Sequence, residues 1–131
     1  MCIRDSFGSV YYNSGLVNAA IAVEAIRAAQ KHFGARPLNG EEGRWGLEHL
    51  DLDDARLKAI GFLGLMQPLK LSCSDHEGGG AVKVQQWDGQ QWKLITDWVQ
   101  ADHVTLRPLI DAKAAEYAKE KGVTPRACDA P

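Results

Sequence analysis

Apolar and polar residues alternate most regularly between Val82 and Trp98, where the chain reads VKVQQWDGQQWKLITDW. Val82 and Val84 alternate with Lys83 and Gln85. Trp92, Leu94, Thr96 and Trp98 alternate with Lys93, Ile95 and Asp97. A period of two puts each set on one face of a pleated strand. Asp88-Gly89 between the runs is a strong hairpin signal, so a β-hairpin is expected over 82–98. A two-residue loop would pair Gln85 with Trp92 and Lys83 with Leu94, mixing polar and apolar residues on each face. A three-residue loop of Trp87, Asp88 and Gly89 pairs Val84 with Trp92 and Val82 with Leu94. It also places Gly89 in the left-handed position of a bulge turn. The sequence predicts the three-residue loop.

Elsewhere the period is helical. From about Gly8 to Phe33 alanine is abundant, and Leu16, Ala19, Ala20, Val23 and Ile26 recur at helical spacing. Val17, Ile21, Ala22 and Ala25 fill the other sides, so this helix is expected to be buried on several of them. Gly34 ends it. Asn39 or Gly40 caps a second helix from Glu41 to about Leu50, with Trp45 and Leu47 or Leu50 on its buried side. Asp51 is expected to cap a short third helix, Asp53 to Ala59, stopped by Gly61. A short strand is predicted at Pro68 to Ser72. Thr105 or His103 opens a final helix with Leu106, Leu109, Ile110, Lys113 and Tyr117 on one side and Gly122 at its end. The tail to Pro131 is expected to be loose. The fold class is α/β, with helices packed on a small sheet containing the hairpin. A helix as apolar as Leu16 to Ile26 calls for a larger sheet than these strands build, which suggests a fragment of something bigger.

Composition adds few constraints. The 131 residues carry a formal net charge of −2, with 45% hydrophobic and 24% charged residues. That is one ordinary soluble domain without the basic excess of a nucleic-acid binder. No apolar run approaches the length needed to span a bilayer. Met1 to Ser6, MCIRDS, resembles a translated adapter sequence; it is set aside as a non-native leader, with residues 7–131 as the native part. Cys73 and Cys128 are then the two native cysteines.

Few residues offer chemistry. Cys73, Asp75, His76 and Glu77 crowd together in CSDHE, but the spacing matches no standard zinc pattern. A polar turn, with Asp75 and His76 bonding local backbone, is the better reading. Gly78-Gly79-Gly80 opens no helix and precedes no Lys-Ser/Thr, so it reads as a connection rather than a phosphate cradle. Glu48, Asp51, Asp53 and Asp54 suit helix ends and caps better than paired catalytic carboxylates. No nucleophile–base arrangement can be defended from spacing, so no enzyme activity, metal or cofactor is expected. Tyr11, Tyr12 and Asn13 differ: two phenols and an amide at a helix start suit gripping a small polar ligand, particularly a carboxylate. On chemistry alone, one core and one surface tyrosine is the commoner outcome.

Several stretches together resemble the C-terminal part of a branched-chain amino-acid-type substrate-binding protein of an ABC importer, with a type I periplasmic binding fold. They are VYYNSGLVNAAIAVEAIRAAQ, GEEGRWGLEHLDLDDARLKAIG, GFLGLMQPLKLSCSDHEG, and AVKVQQWDGQQW with the following ITDW. The resemblance runs from about Gly8 to Cys128. It implies a partial lobe of that fold and capture of an amino acid or similar solute, with Tyr11, Tyr12 and Asn13 at the ligand cleft. It implies as partners the ligand, a membrane permease and the missing N-terminal part of a parent chain, in a periplasmic or extracytoplasmic location. A ligand-sensing receptor or amide-type regulator of the same fold is the alternative. In an exported parent, Cys73 and Cys128 become candidates for a disulfide; two free thiols, or pairing with cysteines of the missing part, are the other outcomes.

Overall fold

In the computed structural model, which describes residues 9–128, the Ser9 hydroxyl accepts the Tyr12 backbone N–H at 3.2 Å and opens α1 (Val10–Phe33). The leader expected at Met1 to Ser6 lies outside the described residues. Gly34, at φ 98°, ends α1 and donates its N–H to the Gln30 carbonyl. Asn39 caps α2 (Gly40–Glu48) through a reciprocal box: its Oδ1 accepts from Glu42 N at 2.9 Å, and Glu42 Oε2 accepts from Asn39 N at 3.0 Å. The chain falls into two compact units, Met1–Gly79 and Gly80–Pro131.

In the first unit α2 packs on α1 at Gly46, whose absent side chain leaves room for Ala25 and Ala29. The two helices are also joined by rings. Trp45 lies between His32 (centroids 4.1 Å, 18°) and His49 (3.9 Å, 15°), with Phe33 edge-on at 5.3 Å. β1 (Asp51–Leu52), α3 (Asp54–Ala59) and β2 (Leu69–Lys70) follow. β1 and β2 are antiparallel, with Asp51 opposite Lys70 and Leu52 opposite Leu69. Leu50, Leu52 and Leu57 form the buried core; Ile21, Ile60, Phe62, Met66, Leu69 and Leu71 pack around it.

Two expectations change here. The cap of α3 is Asp53, not Asp51: Asp53 stands three residues before Arg56 and accepts its N–H at 2.7 Å. Asp51 is instead in β1, with its carboxylate 3.3 Å from Lys70 Nζ. The expected strand at Pro68 to Ser72 contracts to β2, and its partner β1 is too short to show a period of two in the sequence.

The second unit holds β3 (Gln85–Trp87), β4 (Trp92–Leu94) and α4 (His103–Lys121). The hairpin forms and Gly89 has a positive φ of 101°, but the register is not the one expected. Trp87 faces Trp92 and Gln85 faces Leu94 across a four-residue loop, whereas Val84 had been expected opposite Trp92. The Asp88 side chain decides this. Its Oδ1 accepts from Gln90 N and Gln91 N, each at 2.8 Å, and its Oδ2 lies 2.7 Å from Lys93 Nζ. These bonds stabilise the longer loop, and Trp87 then meets Trp92 with centroids 5.7 Å apart. Val82 pairs with Val99 in an isolated bridge. Asp102 caps α4 and Gly122, at φ 62°, ends it. No described residue of this unit is buried, including those on the apolar side of α4. The fold is mixed: helices with two two-stranded antiparallel sheets rather than one small sheet.

Candidate functional site

The helical spacing of α1 gives it two opposed apolar faces. Ala25 and Ala29 are on one, closed by α2. On the other, Tyr12, Leu16, Ala19 and Val23 follow one another at intervals of four, three and four residues, so they share a stripe. Leu16, Ala19, Ala20 and Val23, together with Ile60 and Phe62 from the segment after α3, line an open groove of about 300 Å3. Val23 is 48% exposed and Ile26, beside the groove, 47%. The burial on several sides expected for α1 is therefore met on one side only. Of its residues, Glu24, Ala25 and Ala29 are buried.

Glu24 and Arg27 rim this groove, and Glu24 is held from below by α3. Arg56 Nε donates to Glu24 Oε2 at 2.7 Å and Arg56 Nη2 to Oε1 at 2.8 Å, a bidentate fork, with Arg27 Nη1 at 3.5 Å. The Arg56 hydrogen bonds hold the Glu24 carboxyl below its ordinary value, against the opposing effect of burial. A carboxyl depressed in the folded state adds stability that is fully present above its unfolded pKa and lost as pH falls through the folded one. Glu24→Gln should therefore destabilise the protein at neutral pH. The gap from the unsubstituted protein should close as urea denaturation is repeated from about pH 6 down to about pH 3. A gap independent of pH would show that the carboxylate is not what Arg56 holds.

A second cavity, of about 220 Å3, is lined by Arg44, Leu47, Glu48, Leu71 and His76. His76 Nε2 lies 3.4 Å and Arg44 Nε 3.8 Å from the buried Glu48 carboxylate, and Arg44 also pairs with Glu41. His76 therefore reaches α2, correcting its expected bond to local backbone. Asp75 behaves as the turn reading requires, its Oδ1 accepting from Glu77 N at 3.0 Å and Gly78 N at 3.3 Å. Among the described residues no group of three or more His, Cys, Asp or Glu is placed to hold a metal.

Tyr11, Tyr12 and Asn13 occupy the first turn of α1. Tyr11 is 91% exposed; Tyr12 and Asn13 are half-buried, and Asn13 N donates to Ser9 O at 2.9 Å. By helical spacing Tyr12 continues the Leu16, Ala19 and Val23 row, Asn13 stands a turn before Leu16 and Ala20, and Tyr11 points away from both. Cys73 and Cys128 are each disulfide-bonded. Sequence reasoning missed Ile60, Phe62 and Arg56 as neighbours of α1. The available signal was Glu24, a charge set in an alanine-rich helix that requires a partner when buried.

No protein-family model and no curated relative matches the chain. A solved structure does: the crystal structure of an ABC transporter permease from the Pseudomonas fluorescens group, at 70% identity and a TM-score of 0.90. The match covers 98% of this chain and 31% of that one, so the chain spans about a third of the length of the protein it resembles. The permease description overturns the expected kinship with substrate-binding proteins. With it go the solute-capturing function, the sensor alternative, a permease as external partner, and the periplasmic location. The error has a physical source: the resemblance rested on the order of short α and β segments, and such an order does not specify function. Among the described residues no helix is long and apolar enough to cross a membrane.

Proposed function

We propose that the chain is one segment of an ABC-transporter component of the permease kind, acting at the membrane. The observation that carries this is the 70% identity over 98% of the chain, at a TM-score of 0.90, with a structure so described. On this reading the segment contributes packing surface to a larger chain, chiefly the open side of α1. Tyr11, Tyr12 and Asn13 are proposed as its contacts to a small polar group. As to architecture alone, the helices and small sheets are proposed to complete a lobe of the type I periplasmic-binding fold, which leaves function open.

The test is fractionation of cells producing the longer chain with an affinity tag. The tagged chain should sediment with membranes and, after detergent extraction, co-purify with an ATP-hydrolysing subunit. Recovery wholly outside the membrane fraction, with no such subunit bound, would overturn the reading.

A further inference from the structure

We infer that the Leu16–Ile26 face of α1 is a seam inside a longer chain, covered by apolar residues from the part of that chain lying outside these 131 residues. The inference rests on the reading above only in taking the chain to be a segment of a longer one.

Three observations carry it. The face is built to be covered. Leu16, Val23 and Ile26 stand exposed on one side of a helix whose other side is already packed on α2. The groove between Leu16, Val23, Ile60 and Phe62 has alanines, Ala19 and Ala20, among its lining. Small residues there let a partner element approach closely.

The carboxylate at the rim is paired. Glu24 is forked by Arg56 and flanked by Arg27, so an apolar partner would meet no unpaired carboxylate there.

The third observation names the occupant. At a TM-score of 0.90 over 98% of its residues, this conformation is the one found within a chain of which it forms 31%. The larger part of that chain therefore lies outside the matched residues and is covalently continuous with them, at hand to cover such a face. A contiguous apolar patch is unusual on a free surface, whereas between parts of one chain it is ordinary core.

The experiment uses the intact longer chain, with Val23→Cys or Ile26→Cys as conservative probes and Ala35→Cys as an exposed control. Each is treated with N-ethylmaleimide under native conditions and labelling is followed by mass spectrometry. The probes should react on the order of 100-fold more slowly than the control, as for sites reached only by local opening. The protection should not change on dilution, and it should vanish in urea. Labelling at the control rate would overturn the inference, because the face would be open in the longer chain. Protection lost on dilution would assign the face to a second copy. Protection present only in lipid would assign it to the bilayer. Either result also overturns the inference. Failure of the membrane reading is separately visible: protected probes in a chain that binds no transporter subunit would keep the seam and remove the transporter.

Discussion

Gly46→Val is expected to destabilise the Met1–Gly79 unit by about 3 kcal/mol, at the upper end of overpacking effects. A Cβ at position 46 would lie 2.2 Å from the Ala25 carbonyl oxygen and 2.9 Å from Ala29 Cβ. The nearer group is backbone in the middle of α1, so it cannot rotate aside as a long side chain would. The helices must separate, and separation would also disturb the contacts of Trp45 with His32 and Phe33. Gly43 provides the control. It lies in the same helix with nothing within 4 Å of its Cβ position. Gly43→Ala should stabilise by about 0.5–1 kcal/mol through helix propensity alone. Urea unfolding followed by tryptophan fluorescence separates the two. A Gly46→Val variant with the midpoint of the unsubstituted protein would mean that α1 and α2 do not approach as described.

The contrast between Gly46 and Gly43 shows where legibility ended. Helices were readable wherever caps and period agreed. Asn39 with Glu42 three residues on, Gly34 after Phe33 and Gly122 after Lys121 mark their boundaries closely. Those signals are local, and their partners lie within a turn. The spacing that makes Gly43 and Gly46 alike in sequence says nothing about which one meets α1, because that contact joins residues about twenty positions apart. The hairpin itself was legible, but its register was not, for a related reason. The choice of register weighed the faces of the strands, while Asp88 settled the loop by binding Gln90 N and Gln91 N. A side-chain cap of that kind can outweigh a pattern of only a few alternating residues. The apolar excess of α1 was legible, as was the lack of enough sheet to cover it, and Leu16, Val23 and Ile26 are indeed left exposed in this chain. The groove walls at Ile60 and Phe62 were not, since they depend on how α3 packs. Function was misread because no motif in the chain specifies one.

The largest single effect is expected at the cysteines. Cys73 and Cys128 are each disulfide-bonded, and Cys2, the third cysteine of the sequence, lies outside the described residues. We expect non-reducing peptide mapping to recover Cys73 and Cys128 on one cross-linked pair of peptides that separates on reduction. A bridge between these positions closes a loop of about 55 residues, which in the chain-entropy account restricts the unfolded chain by about 4 kcal/mol. Cys73→Ser and Cys128→Ser should each lose stability of that order. The double variant should lose no more than either single one, because both remove the same bond. The effect should be absent when the unsubstituted protein and its variants are compared under reducing conditions. Free thiols at both positions in the purified protein, or double-variant losses that sum, would show that the two cysteines do not act as one bond.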